Sequence, residues 1–171
     1  MPTPAGRTPV AHTPPHADAP AIALIGMGPR GVSTLERIIA THEATNAHSP
    51  LHIHVIDPWE VGAGEIWRPD QTPLVCMNTL AGAVTLYTEP GATITGPVRP
   101  GPTMYQWIVG VRTGLYQAEL PPHLREELHH TRPESHPSRA LYGAYIRWVY
   151  QHIPLPDGVT ITEHHARATS I

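Results

Sequence analysis

Phenylalanine is absent from this 171-residue chain, cysteine occurs once, and no run of Lys or Arg is present. Each absence excludes something. A lone Cys76 cannot form an intramolecular disulfide, which fits a reducing compartment and makes the cytoplasm the expected location. The formal net charge of −3, without a basic cluster, leaves no electrostatic footprint for nucleic acid or for an anionic membrane surface. The longest apolar run, Ala21 to Met27, is far too short to span a bilayer, and no charged segment of the signal-peptide kind precedes it. Without Phe, the core must be built from aliphatic side chains with Trp and Tyr.

What is abundant is proline (21) and histidine (13). Six prolines fall within Met1 to Pro20, a segment that can neither pair as a strand nor bury an apolar face and is expected to be a disordered leader. A single domain is expected over residues 21–171. It opens with Ala21-Ile22-Ala23-Leu24-Ile25, a continuous apolar run of the kind that forms a central parallel strand buried on both faces. After Gly28 the period becomes helical: Val32, Leu35, Ile38 and Ile39 share one face, Pro29 suits the first turn, and the helix is expected to reach about Thr41. Leu51 to Asp57 reads as a second strand, alternating with His52 and His54 and closing on an acid before Pro58.

From about 58 to 138 Gly and Pro recur too often for long elements, apart from predicted helices at Thr103 to Gln117 and His123 to His129. An excursion of this length is too long for a plain connection, and its Trp, Leu, Val, Met and Tyr content predicts a packed, functional insertion. Regular structure returns with Ser138 as N-cap of a helix presenting Leu141, Tyr145, Trp148 and Val149 on one face and stopping at Pro154. A third strand follows, from Val159 to about His165. The class is therefore α/β with a parallel sheet and a long insertion after strand two.

The chemistry-bearing motif is Gly26-Met27-Gly28-Pro29-Arg30-Gly31, a G-x-G-x-x-G placed between a strand and a helix. The first glycine permits the tight turn, the second lets backbone approach a pyrophosphate, and the third lets helix pack on strand. The unpaired N–H groups and the positive end of the helix then receive phosphate. Asp57, 26 positions past Gly31, stands where a carboxylate accepts hydrogen bonds from a ribose diol, and it would repel a 2′-phosphate. The alternative for Asp57 is a turn cap beside Pro58. The motif alone does not separate FAD from NAD. The insertion weakens a plain NAD-dependent dehydrogenase, and a non-catalytic module binding ADP or NAD remains the second reading.

Gly26 to Gly31, Val55-Ile56-Asp57-Pro58, Gly62-Ala63-Gly64 with Trp67-Arg68, Met77-Asn78-Thr79, Gly96-Pro97 and Pro137 to Gly143 form an ordered series of blocks. From Ala21 to about His165 this series resembles the FAD/NAD(P)-binding family that includes FAD-dependent urate hydroxylase and the aspartate N-monooxygenases. The resemblance implies a Rossmann-like domain that binds FAD, with NAD(P)H as co-substrate, in a flavoprotein oxidoreductase of monooxygenase type acting on a small-molecule substrate. It assigns the turn (Gly26, Met27, Gly28, Pro29, Arg30, Gly31) to the FAD pyrophosphate and Asp57, with Pro58, to the adenosine ribose. It places Trp67, Arg68, Met77 and Asn78 near the ribityl chain and the isoalloxazine. Members of that family continue well beyond the equivalent of Ile171, so an N-terminal part is implied, with a missing C-terminal portion or an oligomer partner supplying the remainder. No catalytic residue follows from these patterns.

The remaining constellations carry less. His52 with His54, His129-His130 and His164-His165 have loose spacing and no cysteine support, so no metal site is expected. Glu126 and Glu127 read as the wet face of a short helix, and Cys76, between Val75 and Met77, as a small core residue.

Overall fold

The computed structural model describes residues 19–46 and 49–170. The expected leader lies almost entirely outside them. Three strands and four helices follow in the order β1 (Ala21–Ile25), α1 (Pro29–Asn46), β2 (Leu51–Ile56), α2 (Met104–Arg112), α3 (Pro122–His130), α4 (Arg139–His152) and β3 (Val159–His164). A short 3-10 turn at Ala81–Ala83 is the one further regular element of the described insertion.

The strands form a parallel sheet in the order β1-β2-β3, with Ile22 beside Ile53 and Ile53 beside Ile161. Paired residues of a parallel sheet point to the same side. One face therefore carries Ile22, Leu24, Leu51, Ile53, Val55, Val159 and Ile161, all buried or half-buried. Val32, Leu35 and Ile39 of α1 and Leu141, Tyr145, Ile146 and Val149 of α4 join these in one core. Helices α1 and α4 also touch one another. The insertion is packed, as its composition predicted: Val61, Met77, Val84, Met104, Trp107 and Ile108 belong to the same core.

The opposite face carries Ala21, Ala23 and Ile25 from β1, and all three are exposed, Ile25 by 52%. Among the described residues β1 pairs only with β2, so it is an edge, and its apolar character is not matched by burial on both faces. The other boundaries move for local reasons. α1 passes Thr41 to Asn46 because no Gly or Pro interrupts it. α2 ends at Arg112 rather than Gln117 because Gly114 adopts φ +76°, a left-handed conformation that stops a helix.

Helix starts are well specified. Thr103 caps α2 in a reciprocal box with Gln106. Ser138 caps α4 by accepting from the Leu141 N–H at 3.0 Å. Glu127 supports that cap, its two carboxylate oxygens accepting from the Ser138 N–H and hydroxyl at 2.6 Å each. Glu127 is thus a ligand of a helix start, and the reading of it as a solvated surface acid is corrected. Cys76 is also corrected: it is exposed, because its backbone forms an isolated antiparallel bridge with Ser138 at the rim of the core.

Candidate dinucleotide site

The chain leaves β1 into Gly26, whose φ of +89° favours glycine and whose N–H donates to the Ile56 carbonyl at 2.9 Å. That bond ties the turn to the end of β2. At Gly31 a Cβ would stand 2.2 Å from the Gly26 carbonyl oxygen, so only glycine lets the first turn of α1 close over the loop. At Gly28 the outcome is opposite. A Cβ there would meet no described protein atom within 4 Å. The third glycine is therefore required by the fold, whereas the second borders open space at the start of a helix. Pro29 brings no N–H, and those of Arg30 and Gly31 cannot find acceptors within the helix because they lie in its first turn. Two donors without helical acceptors beside the open space at Gly28 fit an anionic pyrophosphate.

Met27 faces the other way. Its side chain is fully buried, its N–H donates to Asp57 Oδ2 at 2.7 Å, and its carbonyl accepts from the Gly62 N–H at 2.8 Å. Asp57 is 5% exposed, and its Oδ1 accepts from the Trp59 N–H at 2.8 Å. The capping role left open in the sequence is present, and the carboxylate also fixes the glycine turn. Two of its roughly four acceptor positions are used, so acceptor capacity remains for a ribose hydroxyl. Pro58 and Arg30 are exposed.

The structure adds Gly62 and Gly64. Gly62 has φ +102°, and a Cβ on it would lie 2.8 Å from the Arg147 backbone in α4. Gly64 has φ +58°, and a Cβ there would stand 3.5 Å from Gly28 and 3.7 Å from the Asp57 carboxylate. This segment forms a second wall of the turn. The glycine pair shortly after the acid was the only trace of it in the sequence.

Trp67 and Arg68 lie farther along the same loop. A Cβ at Gly143 would fall 1.5 Å from the Trp67 carbonyl oxygen, so the glycine in α4 is what lets the loop pass. Trp67 is half-buried, edge-on to Tyr142 at 4.8 Å and with the Arg139 guanidinium 5.7 Å from its ring. Burial pushes the Tyr142 phenol up to about 12, so it stays protonated at neutral pH. Arg68 sits 4.9 Å over the Trp59 ring, with Asp70 3.4 Å from its Nε. The Met77 N–H donates to the Pro137 carbonyl at 2.8 Å and its side chain is buried, while Asn78 is exposed. Met77 and Asn78 are thereby placed beside the start of α4.

On the opposite face of the sheet, where His52 is buried and His54 half-buried, their rings meet at 4.2 Å, and His54 Nδ1 lies 2.8 Å from His164 Nε2. Burial lowers the His54 pKa, and His52 and His164 lower it further. Among the described residues no group of three or more His, Cys, Asp or Glu is arranged to hold a metal ion, and no helix is long and apolar enough to cross a membrane.

A family model described as FAD-NAD(P)-binding matches residues 23–171. The chain belongs to this FAD-NAD(P)-binding family. Its relatives include an L-aspartate N-monooxygenase (nitrosuccinate-forming) of Streptomyces davaonensis, 36% identical over 152 residues, and the nitrosuccinic acid synthase of Aspergillus oryzae, 39% identical over 155 residues. A second L-aspartate N-monooxygenase, from Streptomyces cremeus, is 32% identical over 156 residues. Each alignment covers 88% of this chain but only 23%, 21% and 23% of the respective relative, so the chain spans under a quarter of their length. The α/β architecture and the cofactor class expected from the sequence, FAD with NAD(P)H, agree with the family to which the chain belongs.

Proposed function

We propose that this chain is the FAD-binding part of an NAD(P)H-using monooxygenase, holding the ADP half of FAD over the glycine turn. The observation that carries the reading is the contrast between Gly31, where a side chain collides with backbone, and Gly28, where it meets nothing. A purely structural strand-to-helix turn needs the first kind of glycine but not the second. The N–H groups of Arg30 and Gly31 and the positive end of α1 would hold the pyrophosphate, and Asp57 would accept from the adenosine ribose. Gly64 keeps the wall behind Gly28 clear. Met27 acts from behind, since its N–H is engaged by Asp57. Pro58 ends the ribose side, and Trp67, Arg68, Met77 and Asn78 are assigned to the flavin side.

FAD bound here would supply the redox chemistry, and this chain would bind, orient and shield it. The substrate is a small molecule, and the aspartate-oxidising relatives make an amino acid the first to try. The cytoplasm suits a chain whose single cysteine is exposed.

The test is a calorimetric titration of FAD into the chain and into Asp57→Ala. Loss of hydrogen bonds to a carboxylate is expected to weaken binding by about 1.5–3 kcal/mol. Unchanged FAD affinity in a folded variant would leave Asp57 as a turn cap only. Binding of ADP or NAD with no binding of FAD would favour a nucleotide-binding module without flavin chemistry.

A further inference from the structure

Arg139 opens α4, one residue past its cap Ser138. Its backbone N–H donates to the Val75 carbonyl at 2.8 Å, and the Met77 N–H donates at 2.8 Å to the carbonyl of Pro137, two residues before it. Trp67 lies against the same helix. Its carbonyl fills the space a side chain at Gly143 would need, and its ring is held edge-on by Tyr142 at 4.8 Å. The Arg139 guanidinium sits 5.7 Å from the centre of that ring. Arg139 is therefore beside the residues assigned to the flavin side, and Trp67 fixes where its guanidinium stands.

Its distance from the glycine turn is set by α4. Arg147, eight residues on, passes behind Gly62, whose N–H donates to the Met27 carbonyl within the turn. At the helical rise per residue, Arg139 stands about 12 Å along the helix from that point. This is the scale of an extended ribityl chain with the first part of the ring beyond it.

The charge of Arg139 has no counterpart in the protein. Among the half-buried arginines of the described residues, Arg37, Arg68, Arg99, Arg112 and Arg147 each have an acid or a backbone carbonyl beside them. Arg139 has neither among the described residues, and its one recorded side-chain partner is the Trp67 ring. It is also at the wrong end of its helix, because a cation in the first turn opposes the helix dipole. Neither an ion pair nor helix stability accounts for it. Being half-buried rather than enclosed, its N–H groups are open to an acceptor from outside the protein.

We propose that Arg139 is a flavin-contacting residue that donates to the pyrimidine edge of the isoalloxazine of FAD. The inference rests on the FAD reading above. Chemistry selects the edge: the carbonyl oxygens and acceptor nitrogens of the ring lie at its pyrimidine end, whereas the dimethylbenzene end has nothing to accept a hydrogen bond. Two electrons and one proton convert the oxidised ring to a reduced ring whose negative charge spreads over N1 and the C2 carbonyl. A fixed cation at that edge binds the reduced ring more tightly than the oxidised one and so raises the reduction potential.

The test uses the 171-residue chain loaded with FAD, as parent, Arg139→Gln and Arg139→Lys, with the potential read by dithionite titration against a reference dye. In Arg139→Gln the preference for reduced over oxidised FAD is expected to fall at least about tenfold, the effect of losing a hydrogen bond to a charged group. That corresponds to about 30 mV of two-electron potential. Arg139→Lys keeps the charge and is expected to recover part of the shift. ADP, which lacks the flavin, is expected to bind all three chains alike, and the melting temperature is expected to stay as in the parent because no protein acceptor is lost. A potential unchanged in Arg139→Gln, a shift with no recovery in Arg139→Lys, or ADP affinity lost in step with it would overturn the assignment and leave the FAD reading standing. A folded parent that binds ADP but no FAD would overturn that reading and this inference together.

Discussion

Gly28→Ala and Gly31→Ala differ by one methyl each and are expected to fail in opposite ways. At Gly31 the new Cβ lies 2.2 Å from a backbone carbonyl oxygen and 3.0 Å from the Met27 sulfur, which is itself buried. Backbone cannot move aside cheaply, so the cost resembles other overpacking changes, about 1–3 kcal/mol. For a chain of this size that is roughly 2–4 °C of melting temperature per kcal/mol, a fall of about 2–12 °C. At Gly28 the added Cβ would meet no described atom within 4 Å beyond its chain neighbours, and the preference for glycine over alanine at an N-cap is expected to limit the loss of stability to about 1 kcal/mol. The methyl would instead occupy the approach of the pyrophosphate. Losing one charge-assisted hydrogen bond, about 1.5–3 kcal/mol, is a weakening of FAD on the order of 10- to 150-fold. Thermal melts and FAD titrations on both variants separate the two effects. Equal loss of stability, or a Gly28→Ala variant that binds FAD like the parent, would refute the assignment of the open space to the cofactor.

The start of α4 and the open sheet face give two further tests. Ser138→Ala removes an N-cap and strips one partner from Glu127, and is expected to cost about 0.5–2 kcal/mol, read as a lower melting temperature; an unchanged melt would show that the cap is dispensable. Because the His54 pKa lies below its ordinary 6.5 in the folded chain, the unfolded chain binds protons more readily, so stability is expected to be complete above pH 6.5 and to decline as the pH falls below it. His54→Gln is expected to flatten that decline in a melt series across this window, and an identical pH profile in the variant would place its cause elsewhere.

Local signals carried the strand, turn, helix and strand through Asp57, because each glycine, the proline and the closing acid act within a few residues of one another. The ring of contacts around that turn was not legible. Gly62 is glycine because Arg147 passes 2.8 Å from where its Cβ would be, and Gly143 because Trp67 lies against it. Both partners are distant in sequence, and neither contact has a periodic signature. Glu127 looked solvated because its partner, Ser138, is 11 residues away across a turn. The exposure of β1 has another origin. Its five apolar residues signal burial, but among the described residues only β2 lies beside it, and the face bearing Ala21, Ala23 and Ile25 is open.

The central claim is that the turn after β1 holds the ADP half of FAD, and it is tested most directly by the visible absorption spectrum of the purified chain after equilibration with FAD and gel filtration. Flavin absorbance co-eluting with the protein near one equivalent, and displaced by excess ADP, is the result the account predicts. A colourless protein peak from a chain shown by circular dichroism to be folded would contradict it.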